Sequence, residues 1–240
     1  LARHNVPARQ APTLDAVASP GPPRTDGMPS GTVLELAGLI AGWRRPVVGP
    51  VSLALARGDV VGVWGANGSG KSTLLAAVAG QARRFDGRLR LAPGVGLAVQ
   101  PQAPVRLDPL PVTGRELLAV AGADPNACDL PATLAALLPQ RLDRISGGQH
   151  QLLCVWAALA GTADLVLLDE PTNNLDPTHT AVLADMLAER RADRAVLLVS
   201  HERAFLQAHC GRILALDAAG ALARDRRPAP PPTADDTAWT

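Results

Sequence analysis

Apolar residues fall along the chain in short runs, separated by stretches of glycine, proline and charge. Residues 33–39, 51–55 and 59–65 have the length and branched content of strands. The third runs straight into Gly65-Ala66-Asn67-Gly68-Ser69-Gly70-Lys71-Ser72-Thr73. Residues 71–80 then read as a helix of small and branched apolar residues, and 87–91 and 95–99 as strands. Residues 113–140 hold two short helical patterns, interrupted by Asp124-Pro125-Asn126, and 147–161 is a strongly apolar helix. Residues 165–168 and 195–199 are continuous apolar runs, the pattern of strands buried on both faces of a parallel sheet. This alternation predicts an α/β fold. Residues 1–30, rich in Ala, Pro and Gly, and 225–240, with Pro228-Ala229-Pro230-Pro231-Pro232, are expected to be a disordered leader and tail around one domain at 31–224.

Composition narrows the function. At 47% hydrophobic the chain can build a core, and a net charge of +1 gives no nucleic-acid footprint. Tyrosine is absent and Phe85 and Phe205 are the only phenylalanines, which argues against single-strand binding by stacked aromatics. Cys128, Cys154 and Cys210 are odd in number and far apart, fitting reduced thiols rather than a disulfide or zinc framework. No apolar run approaches the length of a membrane span, and the first residues lack a signal-peptide pattern. The chain begins with Leu1, which leaves open that it is a fragment.

Lys71 is the only lysine; all the other cationic side chains are arginine. A compact ammonium on a thin stem reaches between two phosphates where a planar guanidinium does not fit. Gly65, Gly68 and Gly70 let backbone N–H groups turn toward phosphate, with Asn67 and Ser69 completing the loop, and the helix N-terminus adds positive potential. Lys71 is expected to bridge the outer phosphates, Ser72 to place its hydroxyl on Mg²⁺, and Thr73 to contact the inner phosphate. Roughly a hundred residues on, Leu165-Val166-Leu167-Leu168-Asp169-Glu170 is an apolar strand ending in two carboxylates. The C-terminal end of a parallel strand faces the ligand crevice. Asp169 is expected to hold Mg²⁺ through water, and Glu170 to polarise an attacking water.

Ile145-Ser146-Gly147-Gly148-Gln149 resembles the signature of ATP-binding cassette (ABC) proteins. Glu170-Pro171-Thr172-Asn173-Asn174-Leu175-Asp176 resembles that family's Walker B to D-loop segment, and Ser200-His201 its switch histidine. The resemblance covers roughly residues 33–222. It implies a P-loop NTPase fold with a mostly parallel central sheet, an N-terminal antiparallel β portion and a small helical subdomain at about 103–160. It also implies ATP and Mg²⁺ as ligands, and two cassettes closing head to tail, as a homodimer or heterodimer. Each site would then join Lys71 of one chain to Ser146, Gly147, Gly148 and Gln149 of another, with Asp176 across the interface. His201 is expected on the γ-phosphate.

A glutamine after a strand should touch Mg²⁺ and the water. Gln100 and Gln102 both qualify. Gln102 is preferred because Pro101-Gln102, followed nine residues later by Pro111-Val112-Thr113, resembles metal-ion importer cassettes. Trp43 fills the slot of the adenine-stacking aromatic; Trp64 and Trp156 are expected in the core, and His150, His179 and His209 on the surface. Leu152 and Ala157 stand where many relatives carry arginine. The favoured reading is the ATPase subunit of an ABC transporter. It would lie on the cytoplasmic face of the inner membrane against separate transmembrane permease subunits, with a substrate-binding protein if the system imports. Glu170–Asp176 and Ser200–Leu206 also resemble soluble ABC translation factors, which remain the alternative. A chromosome ATPase would need long coiled-coil heptads between the Walker motifs, and the spacing excludes them.

Overall fold

The computed structural model describes residues 31–102, 111–190 and 194–226. The expected leader at 1–30, most of the tail, and residues 103–110 at the start of the expected helical subdomain lie outside these.

Strands β1 (Thr32–Gly42), β2 (Pro46–Ala56) and β4 (Arg83–Leu91) form an antiparallel sheet in the order β2-β1-β4. A second sheet is built from β3 (Val60–Gly65), β5 (Leu97–Gln100), β6 (Leu165–Asp169), β7 (Ala195–Val199), β8 (Arg212–Leu216) and β9 (Leu222–Arg226), in the order β5-β6-β7-β3-β8-β9. Its first five strands are parallel and β9 closes it antiparallel to β8. The helices are α1 (Lys71–Val78), α2 (Gly114–Val120), α3 (Ala132–Ala135), α4 (Gly147–Ala160), α5 (Pro177–Arg190) and α6 (Arg203–His209). The α/β fold is therefore as the pattern predicts, and its antiparallel N-terminal portion as the resemblance implies.

The central sheet divides two apolar cores, because successive side chains of a strand point to opposite faces. Val61, Val63, Leu165, Leu167 and Leu197 join α1 and the antiparallel sheet on one side. Val60, Val166, Leu168, Val196 and Leu198 join α2 to α6 on the other. All five residues of β7 are buried, which explains its unbroken apolar run.

The structure extends several predicted elements. β4 starts at Arg83 rather than Gly87, and its arginines at 83, 84 and 88 stand in solvent on an edge strand. Charge there deters unwanted pairing but hides the strand from a hydrophobic pattern. β2 begins at Pro46, where an edge strand tolerates a missing N–H. Asp225 and Arg226, assigned to the tail, belong to β9, and Arg212 pairs with Asp225 across the ladder. The pattern singles out neither α5, which lies between β6 and β7, nor α6, β8 and β9, which follow β7.

Candidate active site

The loop from Gly65 to Gly70 joins β3 to α1. Gly70 sits at φ 88 as the N-cap of α1, and no side chain caps that helix. A Cβ at Gly70 would lie 2.9 Å from Val48 Cβ and 3.0 Å from Val47 O, so both conformation and space demand glycine. The first N–H groups of α1 thus have no side-chain cap, which suits an anion. Lys71 is buried, and its Nζ donates to Gly65 O at 2.9 Å and Ala66 O at 3.1 Å. An ammonium has three donors, so one remains for a ligand.

Ser72 Oγ donates to Asp169 Oδ1 at 3.0 Å, joining the start of α1 to the end of β6. Burial holds the Asp169 carboxyl above its usual range; the Ser72 hydrogen bond opposes this, the neighbouring Glu170 adds to it, and Lys71 opposes it. An oxygen pair beside a partly buried carboxylate fits a hard cation such as Mg²⁺. Glu170 is buried and adopts φ 50, uncommon for a residue with a side chain. His201 donates its backbone N–H to Glu170 Oε2 at 3.1 Å, and its Nδ1 lies 2.8 Å from the same oxygen. Below this pair the buried hydroxyls of Thr172 and Ser200 meet at 3.2 Å, and Ser200 Oγ accepts from Glu202 N at 3.0 Å.

An open cleft of about 530 Å³ gathers Trp64, Asn67, Gln102, Glu170, Asn173 and His201 beside Gly65 and Ala66. Gln102 therefore lines the same cleft as Glu170. Gln100 instead is buried, with its Nε2 on Pro101 O at 2.6 Å, and borders a different groove. Trp64 was expected in the core, but it is half-buried on the cleft wall with the Arg203 guanidinium 5.5 Å over its ring. Trp64 is one residue from the crest of β3, where the sheet ends and the cleft begins. Asn173 has no sequence signal beyond its place in the turn after Glu170. Trp43 is exposed in the turn between β1 and β2, outside the residues lining the cleft, while Val47 and Val48 of the same segment press on Gly70. Trp156 is fully buried, as expected.

The signature residues lie elsewhere. Ser146 and Gln149 form a reciprocal capping box on α4: Gln149 N donates to Ser146 Oγ at 3.2 Å, and Ser146 N to Gln149 Oε1 at 3.0 Å. The Ser-x-x-Gln spacing signals this in the sequence. Gly148 abuts the turn after Glu170: a Cβ would lie 3.1 Å from Asn174 O. Gly147 faces open space, and none of Ser146–Gln149 lines the cleft. Asp176 caps the start of α5, accepting from His179 N at 2.8 Å while its Oδ2 meets His179 Nδ1 at 2.8 Å. The backbone bond, then the ring contact, hold its carboxyl below the usual range. His179 is thus a capping partner rather than a bare surface residue. His150 is buried, against the surface expectation, because α4 enters the second core within one turn of its exposed start; His209 is exposed and packs on Phe205.

Residues 48–173 match the family described as ABC transporter, and they include the phosphate loop, the signature and the paired carboxylates. The chain belongs to the ABC transporter family. A zinc import ATP-binding protein ZnuC of Marinobacter nauticus is 35% identical over 179 residues, covering 72% of this chain and 69% of that protein. A ZnuC of Roseobacter denitrificans is 36% identical, covering 72% and 70%. A solved ATP-binding subunit of an ABC transporter superposes with a TM-score of 0.67 at 25% identity, over 82% of this chain and 90% of that one. An inward-facing metal-chelate type ABC transporter shares the fold, with a TM-score of 0.65 at 21% identity over 81% of this chain and 82% of that one. This ABC protein binds ATP and is the ATPase subunit of a transporter; the translation-factor alternative finds no support among these matches. Among its described residues, no helix is long and apolar enough to cross a membrane.

Proposed function

We propose that this subunit binds Mg²⁺-ATP between its own phosphate loop and the signature helix of a second cassette, and hydrolyses it to drive zinc import. The observation that carries the reading is the split of the site. Gly65, Asn67, Gln102, Glu170 and His201 share one cleft, whereas Ser146–Gln149 cap a helix outside it. A second chain, alike or related, would bring its Ser146, Gly147 and Gly148 against the nucleotide, with Asp176 near the shared interface. Trp43 would stack on adenine. Gly68, Ser69, Gly70 and Thr73 would give the phosphates their backbone and hydroxyl donors.

Mg²⁺, held by Ser72 and Asp169 with Gln102 beside it, would offset the charge of the outer phosphates. Lys71 holds its ammonium at the loop, aimed by two carbonyls, where charge develops on the transferring phosphoryl group. Glu170 keeps Oε1 for an attacking water, since both His201 contacts fall on Oε2. His201 orients that carboxylate and would turn its other ring nitrogen to the γ-phosphate.

Separate permease subunits would form the membrane path, fed by a substrate-binding protein, with this subunit docked on their cytoplasmic side. The names of the two relatives support zinc as cargo. The test is zinc uptake in cells deleted for the chain. Restoration by the wild type and not by Glu170→Gln supports the proposal. Unimpaired zinc uptake in the deletion overturns the assignment of cargo.

A further inference from the structure

A second cavity, of about 450 Å³, lies between β5, α2 and α4, away from the nucleotide cleft. On α4 its wall is the stripe His150, Cys154, Ala157 and Ala158, one face of the helix, continued by the C-cap Gly161. The small side chains of Ala157 and Ala158 leave His150 and Cys154 as the two metal-ligating side chains of this face. His150 and Cys154 are four apart, with β-carbons about 5–6 Å from each other on the helix surface. One ion at ordinary Zn–N and Zn–S lengths, about 2.0 and 2.3 Å, spans that gap. Across the cavity stands Gln100, 2% exposed, whose Oε1 is buried without a hydrogen-bond partner. A buried carbonyl oxygen left unpaired carries a penalty that a ligand would relieve.

We propose that His150, Cys154 and Gln100 form a binding site for Zn²⁺ in this groove, with water from the open side as the fourth ligand. The described residues hold no cluster of three or more His, Cys, Asp or Glu able to take a metal, so the third donor here is an amide. The donor set suits a borderline ion: imidazole and thiolate favour zinc over Mg²⁺, which takes hard oxygen ligands. Burial keeps the Cys154 thiol protonated, with its pKa pushed up to about 11, so binding releases a proton and the affinity is modest. Resting on the proposed zinc cargo, the site would act as a sensor: imported zinc would occupy it and change how α4, which carries the signature at its N-terminus, packs on β5.

The experiment titrates the purified full chain, without nucleotide, with Co²⁺ and then with Zn²⁺ against a chromophoric chelator. A thiolate-to-cobalt charge-transfer band should appear and be displaced by Zn²⁺. The nucleotide cleft has no thiol among its lining residues and would give no such band. Cys154→Ser and Gln100→Leu should each weaken binding at least ~10-fold, the scale for perturbing a metal's ligand set. Cys128→Ser, at an exposed site, should leave it unchanged. Absence of the band in the wild type, or a band that survives Cys154→Ser, overturns the site. Because the readout is binding to the isolated subunit, it stands or falls apart from whether zinc is the cargo.

Discussion

Asp169 and Glu170 are adjacent carboxylates in different environments, and each makes its own prediction. The Asp169 carboxyl has a raised pKa, chiefly from burial, so its ionised form is disfavoured in the folded chain. For an acid shifted upward, the penalty is full above the folded-state pKa and fades as pH falls through it toward the unfolded value. Asp169→Asn should therefore raise the melting temperature of the ligand-free chain at neutral pH, with a gain that shrinks in acid, while Mg²⁺-dependent ATPase activity is lost. Thermal melts across pH check the first part and turnover assays the second. Thr172 and Ser200 are buried hydroxyls that tie the turn after Glu170 to the end of β7. Thr172→Val leaves Ser200 without that partner, and should cost about 1–3 kcal/mol of stability in denaturant unfolding. The motifs in the sequence singled out Lys71, Asp169, Glu170 and His201, and the structure brings these residues to neighbouring positions. The sequence did not reveal Trp64 on the cleft wall or His150 in the interior. Burial of a single side chain depends on where a sheet ends and what encloses a helix, and neither is a local property.

Among the elements, α4 shows how a helix can be stable and still present its end. Its Ser146–Gln149 capping box satisfies two donors of the first turn. Gln149→Ala should destabilise the chain by roughly 1 kcal/mol, and Gln149→Glu, which can rebuild the box, should restore most of it in the same unfolding assay. Gly148→Ala places a Cβ 3.1 Å from Asn174 O. It should push the turn after Glu170 aside and lower turnover more than stability, which paired ATPase and melting measurements resolve. The strands β6 and β7 could be read from sequence because full burial makes every residue apolar. The first half of β4 could not, since its pairing to β1 is a backbone ladder and its arginines answer to water.

At the scale of the whole molecule, the parallel sheet is a partition between two cores, and the proposed catalytic groups stand on its C-terminal edge. The ends of β3, β6 and β7 lead to Gly65, Asp169 and Ser200, so three distant stretches of sequence meet at one cleft. The signature end of α4 lies outside the cleft of its own chain. That gap is what the proposed second cassette fills, and the work of closing it is what a permease would receive. Glu170→Gln should slow turnover at least ~10²-fold, the scale for losing a positioned catalytic group, and hold the ATP-bound dimer closed. The most direct test is to purify tagged Glu170→Gln chain from its own cells in mild detergent with ATP, and to identify what stays bound by mass spectrometry. The account predicts a multi-helix membrane protein retained with the closed cassette pair. Ribosomal proteins with no membrane partner would contradict it.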